Sequence, residues 1–180
     1  NMNKKYIDIR ASQHYVEVYD IIHPLQQSEA PRNLKLSPFH KSQKELKANF
    51  VESAGWERPN WFDSNKKLLK KFNTLHFLRS GWENNEWSPI AILEHLQTRS
   101  NGGLFDLTSF TKIEVKGKGS LEFLNYIISN ELYKPVGKVI YTSLLTQNGG
   151  VKCDLTITRL AEEKFLIISG GAMGLHDLHW

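Results

Sequence analysis

An aspartate stands inside a predicted strand, and its carboxylate is the side chain of this sequence best suited to chemistry. In the stretch 151–160 apolar side chains alternate with polar ones, so Cys153 and Leu155 point one way and Asp154 points the other. Aspartate is disfavoured in strands, and Asp154 therefore needs a reason. Either its face meets solvent, or the face lines a polar cavity in which the carboxylate contacts a ligand. The pattern alone leaves both interpretations open.

The other reactive side chains form no recognisable catalytic set. Cys153 falls on the apolar side of its strand, which predicts a small core residue and not a nucleophile. As the single cysteine it excludes an internal disulfide and a multi-cysteine metal site. His14 and His23 are isolated, so we expect no metal site. No Ser/His/Asp set indicates covalent catalysis, and no Gly-x-Gly-x-x-Gly follows a strand, so we expect no FAD on this chain.

The composition argues against several classes of protein. The 180 residues carry a net charge of +4 without a clustered basic stripe, which argues against nucleic-acid binding. A mild positive charge suits an anionic ligand. No run of about eighteen apolar residues is present, so we expect no membrane span. The N-terminal residues lack the apolar segment of a signal peptide, and we expect a cytoplasmic protein, or one of the mitochondrial matrix in a eukaryote.

The elements around Asp154 alternate between strand and helix. Alternating apolar residues indicate a strand over 112–116, and apolar residues at helical spacing predict a helix from Ser120 to about Leu132. Further predicted elements are strands over 139–145, 151–160 and 165–169, with a tight hairpin turn at 148–150. This order predicts an α+β fold, in which helices pack on one face of a largely antiparallel sheet.

Upstream of this block the pattern is less regular. Ser37 followed by Pro38 predicts a helix that runs to about Ala48, with Phe39, Leu46 and Phe50 as candidates for burial. The aromatic-rich stretch 50–62 is interpreted as a packed loop, whose rings could also form a wall for a flat ligand. Three further expectations are a short extended segment over 14–24, a polar surface excursion over 63–86 and a capped helix over 88–99.

Several ordered motifs resemble one known family. They are Leu104-Phe-Asp-Leu-Thr, Ile113-Glu-Val-Lys-Gly, Phe123-Leu, Lys138-Val-Ile-Tyr-Thr and Gly149-Gly-Val-Lys-Cys-Asp-Leu. Together they resemble the folate-binding domain of the T-protein, the aminomethyltransferase of the glycine cleavage system. Ser37-Pro-Phe-His and Ala54-Gly-Trp-Glu-Arg-Pro-Asn-Trp-Phe look more like the folate half of dimethylglycine and sarcosine dehydrogenases. The resemblance covers roughly residues 15–180.

The resemblance implies how the chain is divided. Residues 36–180 are expected to form the N-terminal part of a T-protein-like folate-binding domain. Residues 1–35 are similar to the connector that joins the flavin part and the folate part of the dehydrogenases. In the resembling families the helix that begins near Leu175 continues, and a further segment of about equal length helps to enclose the folate. This chain is expected to lack that C-terminal half of the family.

The same resemblance implies a function and a site. In this family tetrahydrofolate accepts a one-carbon unit from an aminomethyl group on a lipoyl arm, or from an oxidised N-methylglycine, and 5,10-methylenetetrahydrofolate forms. Asp154 matches the carboxylate beside the reacting nitrogens and is the expected catalytic residue. Phe110 replaces a methionine of the free T-protein, and Ser169 replaces an asparagine that helps to hold the pterin. The expected folate-binding residues are Asp154, Tyr141, Phe110, Ser169 and Trp56, with Glu57 beside Trp56.

Two classes of function stay open at this point. The first is an aminomethyltransferase-like one-carbon transferase, with a lipoyl carrier protein or a flavin dehydrogenase as its partner. The second is a non-catalytic folate-binding or regulatory module, since relatives with this fold include a phosphatase regulatory subunit and an iron–sulfur assembly protein. A homo-oligomer is compatible with both classes, and neither class calls for a nucleic acid or a membrane.

Overall fold

The computed structural model describes residues 2–72, 80–81 and 87–180 of the chain. These residues divide into two compact units, Asn1–Leu107 and Thr108–Trp180. The first unit contains a two-stranded hairpin, and the second contains a four-stranded sheet. Among the described residues, no helix combines the length and the apolar character that crossing a membrane requires.

The first unit carries a hairpin between short helices. Its elements are α1 (Met2–Glu17), α2 (His40–Glu45), β1 (Ala48–Ser53), β2 (Trp56–Phe62), a 3-10 helix (Asp63–Lys67), α3 (Leu68–Lys71) and α4 (Pro89–Ser100). Strands β1 and β2 are antiparallel and turn at Ala54 and Gly55, whose φ values of 52° and 85° are both positive, as a two-residue hairpin turn requires. The predicted cap of α4 is confirmed, because Ser88 Oγ accepts a hydrogen bond from the Ile90 N–H at 3.2 Å.

The expected extended segment over 14–24 is wrong in its first part, since residues 14–17 belong to α1. The apolar side chains that suggested a strand, from Tyr15 to Ile22, are exposed to solvent. A strand is stabilised by pairing and by burial of one face, and the segment has neither within the described residues. Apolar and polar residues do alternate in this segment, but within the described residues it pairs with no strand.

The helix predicted over 37–48 is shorter than expected. Ser37 Oγ accepts a hydrogen bond from the Phe39 N–H at 3.1 Å, but its predicted role as N-cap is wrong, because α2 begins only at His40, has Phe39 as its N-cap without a side-chain cap, and ends at Glu45. The prediction that Phe39 and Leu46 are buried is wrong, because both are exposed. The buried side chains of α2 are polar ones, His40 and Gln43, which an apolar pattern could not reveal.

The predicted loop over 50–62 is instead the hairpin of β1 and β2. Pro59 lies inside β2, where proline normally argues against a strand, but both strands of a two-stranded sheet are edge strands and tolerate it. The register shifts by one residue at Asn49/Phe50, which marks a bulge. The excursion predicted over 63–86 is helical over 63–71. Its remaining parts, 73–79 and 82–86, lie outside the described residues.

The second unit is a four-stranded antiparallel sheet with two helices. Its elements are β3 (Thr111–Lys116), α5 (Ser120–Ile127), β4 (Val139–Leu145), β5 (Val151–Ala161), β6 (Lys164–Ser169) and α6 (Gly174–His179). The strand order is β3-β6-β5-β4, and every neighbouring pair is antiparallel. Gly149, with φ of 78°, lies in the turn between β4 and β5, at the predicted position. The predicted strands agree with the observed ones to within one residue at each end.

One face of the sheet packs against α5 and forms the core of this unit. Leu121 and Leu124 of α5 contact buried residues from three strands: Ile140, Leu144, Leu155, Ile157, Phe165 and Ile167. Alternate residues of β5 and β6 supply this face, because successive side chains of a strand point to opposite sides. The predicted α+β fold with a helix on one face of an antiparallel sheet is confirmed. The predicted helix over 120–132 ends earlier, at Ile127.

The buried helix face yields a direct test of this packing. Leu124 is 0% exposed, whereas its neighbour Phe123 is 52% exposed. Leu124→Ala should lower the free energy of unfolding by about 2–5 kcal/mol, because it leaves a cavity under α5. Phe123→Ala is the matched control and should change it by only about 0.5 kcal/mol. Urea denaturation followed by circular dichroism measures both, and equal losses would contradict this assignment of the core.

Candidate functional site

The pairing of β4 with β5 brings Asp154 and Tyr141 together on the outward face of the sheet. Ser143 lies opposite Asp154, and Tyr141 lies opposite Thr156, so the two side chains are diagonal neighbours. The Tyr141 hydroxyl donates a hydrogen bond to Asp154 Oδ2 at 2.7 Å. Both residues are exposed, Tyr141 to 65%. The sequence left open whether Asp154 faces solvent or lines a cavity. In this chain Asp154 faces solvent, and its carboxylate is hydrogen-bonded to Tyr141.

The electrostatics of this pair follow from the hydrogen bond. The Asp154 carboxylate raises the pKa of the Tyr141 hydroxyl, since the bond is lost and a second negative charge is created when tyrosine ionises. Asp154 Oδ1 makes no hydrogen bond with a described residue. One carboxylate oxygen is thus oriented by Tyr141, and the other is free to accept a proton or to stabilise a nearby positive charge.

Ser169 does not share this face. It lies opposite Thr111 at the end of β6, on the same side as Phe165 and Ile167, and it is only 3% exposed. Its hydroxyl has no hydrogen-bond partner among the described residues. The reason is that side chains of β6 alternate between the two faces of the sheet, and residue 169 is two positions from Ile167 and four from Phe165, so it points to the same face as they do. The structure therefore brings Asp154 and Tyr141 together and places Ser169 on the opposite side of the sheet.

Phe110 precedes β3 and is partly exposed. Its carbonyl accepts a hydrogen bond from Lys112 Nζ at 2.8 Å. The turn before α6 lies directly against the chain at this point, since a Cβ atom on Gly171 would stand 2.2 Å from the carbonyl oxygen of Ser109. Only glycine allows this approach, which holds the backbone beside Phe110 in place.

Trp56 belongs to the first unit, where it begins β2. Lys35 Nζ lies 5.9 Å from the centre of its ring, at the outer range of a cation–π contact. The side chain is half-buried. A contact between folate and Trp56, like the expected contacts of Asp154, Tyr141, Phe110 and Ser169, stays a prediction.

Glu57 is the centre of a polar network that the sequence did not reveal. Its carboxylate receives two hydrogen bonds from Arg32, at 2.9 Å from Nε and 2.6 Å from Nη2, and a third from the Asn33 N–H at 2.7 Å. Its side chain is 2% exposed. The Arg32 hydrogen bonds hold the pKa of Glu57 below its usual range, against the opposing effect of burial. Arg32 is therefore the partner of Glu57 in the folded unit. The motif around Trp56 could not predict this pair, because Arg32 lies 25 residues upstream.

Cys153 packs partly buried against the core of the second unit, on the side that the alternation predicted. Burial, with a smaller effect of the Asp177 carboxylate, raises the pKa of its thiol to about 11. The thiol is therefore protonated at neutral pH, which does not suit a nucleophile. Within the described residues, no three His, Cys, Asp or Glu side chains are placed to hold a metal ion.

Comparison with family models places two matches along the chain. Residues 39–180 match the GCVT N-terminal domain. Residues 1–37 match the FAD dependent oxidoreductase central domain. Among solved structures, the glycine cleavage system aminomethyltransferase T from Bartonella henselae is similar with a TM-score of 0.62 and 28% identity, over 82% of this chain and 34% of that one.

Three curated relatives show how much longer the similar proteins are. The pyruvate dehydrogenase phosphatase regulatory subunit of Mus musculus is 30% identical over 91% of this chain and 18% of its own length. The 4-methylaminobutanoate oxidase (formaldehyde-forming) of Paenarthrobacter nicotinovorans is 30% identical over 93% and 19%. Dimethylglycine dehydrogenase of Mus musculus is 32% identical over 71% and 14%. The chain thus spans less than a fifth of each of these relatives.

The hydrogen bond between Tyr141 and Asp154 can be tested by titration. In Asp154→Asn the negative charge is gone, so the pKa of Tyr141 should fall towards its ordinary value. The absorbance of tyrosinate near 295 nm reports the change, and the difference between wild type and variant isolates one tyrosine. Tyr141→Phe in the same background should abolish that difference. A difference that persists in Tyr141→Phe would show that another tyrosine carries it.

The network of Glu57 should make stability depend on pH. Because its pKa is lowered on folding, the stabilisation is present above the ordinary glutamate pKa of about 4.3 and is lost as the pH falls through the lowered value. Glu57→Gln should therefore cost about 1–3 kcal/mol at neutral pH and much less in acid. Urea denaturation at several pH values measures this, with the exposed Glu45→Gln as control. An equal cost at every pH would contradict the ion pair.

Proposed function

Because this chain belongs to the GCVT N-terminal domain family, which residues 39–180 match, we propose that it takes part in tetrahydrofolate-dependent one-carbon transfer. The predicted resemblance to the T-protein and to dimethylglycine dehydrogenases is confirmed by the family, the relatives and the similar structure. Activity of the aminomethyltransferase kind is supported at that level. The finer proposal is that a glycine-derived aminomethyl or N-methyl group is the donor and 5,10-methylenetetrahydrofolate is the product.

The observation that carries this proposal is the hydrogen bond from Tyr141 to Asp154. A bound tetrahydrofolate would supply the nucleophilic nitrogen that accepts the one-carbon unit. The residues present fit such a group, because an unpaired carboxylate oxygen lies beside an exposed aromatic ring on one sheet face. Tyr141 orients Asp154 Oδ2, which leaves Oδ1 to stabilise positive charge or to move a proton at the reacting nitrogen. Phe110 is proposed to contact the pterin through its ring.

The partner proposed for this activity is a flavin dehydrogenase. Residues 1–37 match the FAD dependent oxidoreductase central domain, and apolar side chains in this part of the chain, from Tyr15 to Leu25, are exposed. A lipoyl carrier protein is the alternative donor. A mitochondrial matrix location is proposed for a eukaryotic source, since the names of several relatives place them in mitochondria.

A second function is favoured by one specific match. The pyruvate dehydrogenase phosphatase regulatory subunit is similar over nearly the whole chain, and its name describes a regulator and not a catalyst. On this alternative the chain is a non-catalytic folate-binding or regulatory module. The two functions differ in one respect that can be measured, which is whether bound tetrahydrofolate acquires a one-carbon unit.

Calorimetric titration with tetrahydrofolate under anaerobic conditions tests the proposal. The wild-type chain should bind, and Asp154→Asn should weaken binding about tenfold or more, the equivalent of about 1.4 kcal/mol, because a charge-assisted contact is lost. The matched control is Glu122→Gln, an exposed carboxylate on α5. Equal binding by Asp154→Asn would contradict the role of this carboxylate.

A turnover assay then separates the two functions. The assay supplies either an aminomethyl-lipoyl donor or an N-methylglycine with its dehydrogenase. If the chain is a transferase, the molar amount of 5,10-methylenetetrahydrofolate formed should exceed the molar amount of protein. Asp154→Asn should reduce the rate more than it reduces binding. Binding without turnover under both donors would favour the non-catalytic module, and absence of folate binding would favour a regulatory role without folate.

A further inference from the structure

A polar cleft of about 380 Å³ lies in the first unit, lined by residues between 23 and 32 and by residues of both strands of the β1–β2 hairpin. We call it the hairpin cleft. The lining residues used here are Gln27, Glu29, Arg32, Asn49, Asn60 and Trp61. The bulge at Asn49/Phe50 lies on its wall, and such bulges redirect side chains. Its volume is in the range of small-molecule sites. None of these residues belongs to the proposed folate site.

Arg32 is held in position at the cleft by the network of Glu57. Its Nε and Nη2 donate to the Glu57 carboxylate, and Nη2 also donates to the Phe50 carbonyl at 3.1 Å. The remaining nitrogen, Nη1, makes no hydrogen bond within the described part of the chain. A guanidinium that is already ordered loses little entropy when it binds a ligand, so Nη1 is a prepared donor for an anion.

Glu29 contributes the opposite charge to the same cleft. Its carboxylate makes no hydrogen bond or ion pair with any described residue, and in particular it does not pair with Arg32, three residues away. Opposite charges that share a cleft normally gain by pairing. Arg32 is already paired with Glu57, so the cleft presents the unpaired Glu29 carboxylate together with the free Nη1 donor of Arg32.

Two asparagines and a tryptophan of the lining supply neutral hydrogen bonds and an aromatic surface. The side-chain amides of Asn49 and Asn60 are likewise without partners among the described residues. Each amide can donate and accept. Trp61 uses its Nε1–H on Asp63 at 3.2 Å, so its ring and not its N–H is what it offers to the cleft. An aromatic ring attracts an ammonium group.

We propose that the hairpin cleft binds a small zwitterion, such as a free amino acid, with its carboxylate on Arg32 and its ammonium on Glu29. The amides of Asn49 and Asn60 complete the hydrogen bonds of the carboxylate, and the Trp61 ring covers the ammonium side. An anion alone meets the Glu29 carboxylate beside it, and a cation alone leaves the Nη1 donor of Arg32 without an acceptor, so a ligand with both charges uses both groups. The site is independent of the one-carbon step proposed for Asp154.

Titration of the isotope-labelled chain with glycine, followed by NMR, tests this site. Saturable shifts are expected in the side-chain amides of Asn49 and Asn60 and in the Trp61 indole. Acetate and methylammonium, each with one charge of the zwitterion, should bind more weakly than glycine. Glu29→Gln should weaken glycine binding about two- to fivefold, the range of an exposed ion pair, and Glu45→Gln should leave it unchanged.

Three results would overturn the proposal. These are no saturable shift with glycine, acetate that binds as well as glycine, and Glu29→Gln that binds like the wild type. Arg32 is not used as a test variant because its loss also breaks the network of Glu57. Asp154→Asn should leave glycine binding intact, and Glu29→Gln should leave tetrahydrofolate binding intact. Failure at the hairpin cleft is therefore distinguishable from failure of the proposed function.

Discussion

The packing of α5 against one face of the sheet is the constraint on which the second unit depends. Strand β5 contributes Leu155 and Ile157 to that core, so every second residue of the strand must face away from it. A slip of one residue would bury the Asp154 carboxylate in an apolar environment, at a large cost in free energy. Asp154 is thus held outward by the core itself, and Tyr141 on the neighbouring strand adds only its orientation.

This dependence explains why the second unit was predictable from sequence. Its strands alternate cleanly, its hairpin turn carries a glycine at positive φ, and the consecutive strands β4, β5 and β6 pair with one another. The contact between Asp154 and Tyr141 follows from that register once the turn is known. The expected role of Ser169 came from a matched position and stays a prediction. The alternation of apolar residues in β6 could be seen in the sequence, and it puts the Ser169 side chain on the face that packs against the core.

The first unit was less predictable because polar and not apolar contacts organise it. The ion pair of Arg32 with Glu57 joins residues 25 positions apart, and no periodic pattern announces such a pair. His40 and Gln43 are buried although neither is apolar, while Phe39 and Leu46 are exposed. Pro59 argued against a strand over 56–62, because proline is disfavoured inside strands. The turn at Ala54-Gly55 was not predicted, since only the glycine is a usual turn residue and alanine rarely takes the positive φ found there. Motif resemblance identified the family correctly but gave no geometry for this part of the chain.

The central claim is that folate meets the oriented carboxylate on the outward face of the sheet. The most direct measurement is the ¹³C chemical shift of the Asp154 carboxyl carbon, recorded in aspartate-labelled protein as tetrahydrofolate is added. The account predicts a saturable shift at Asp154 and none at Asp177, the buried carboxylate of the same unit. A saturable folate response at other carboxylates, with Asp154 unmoved, would contradict the account.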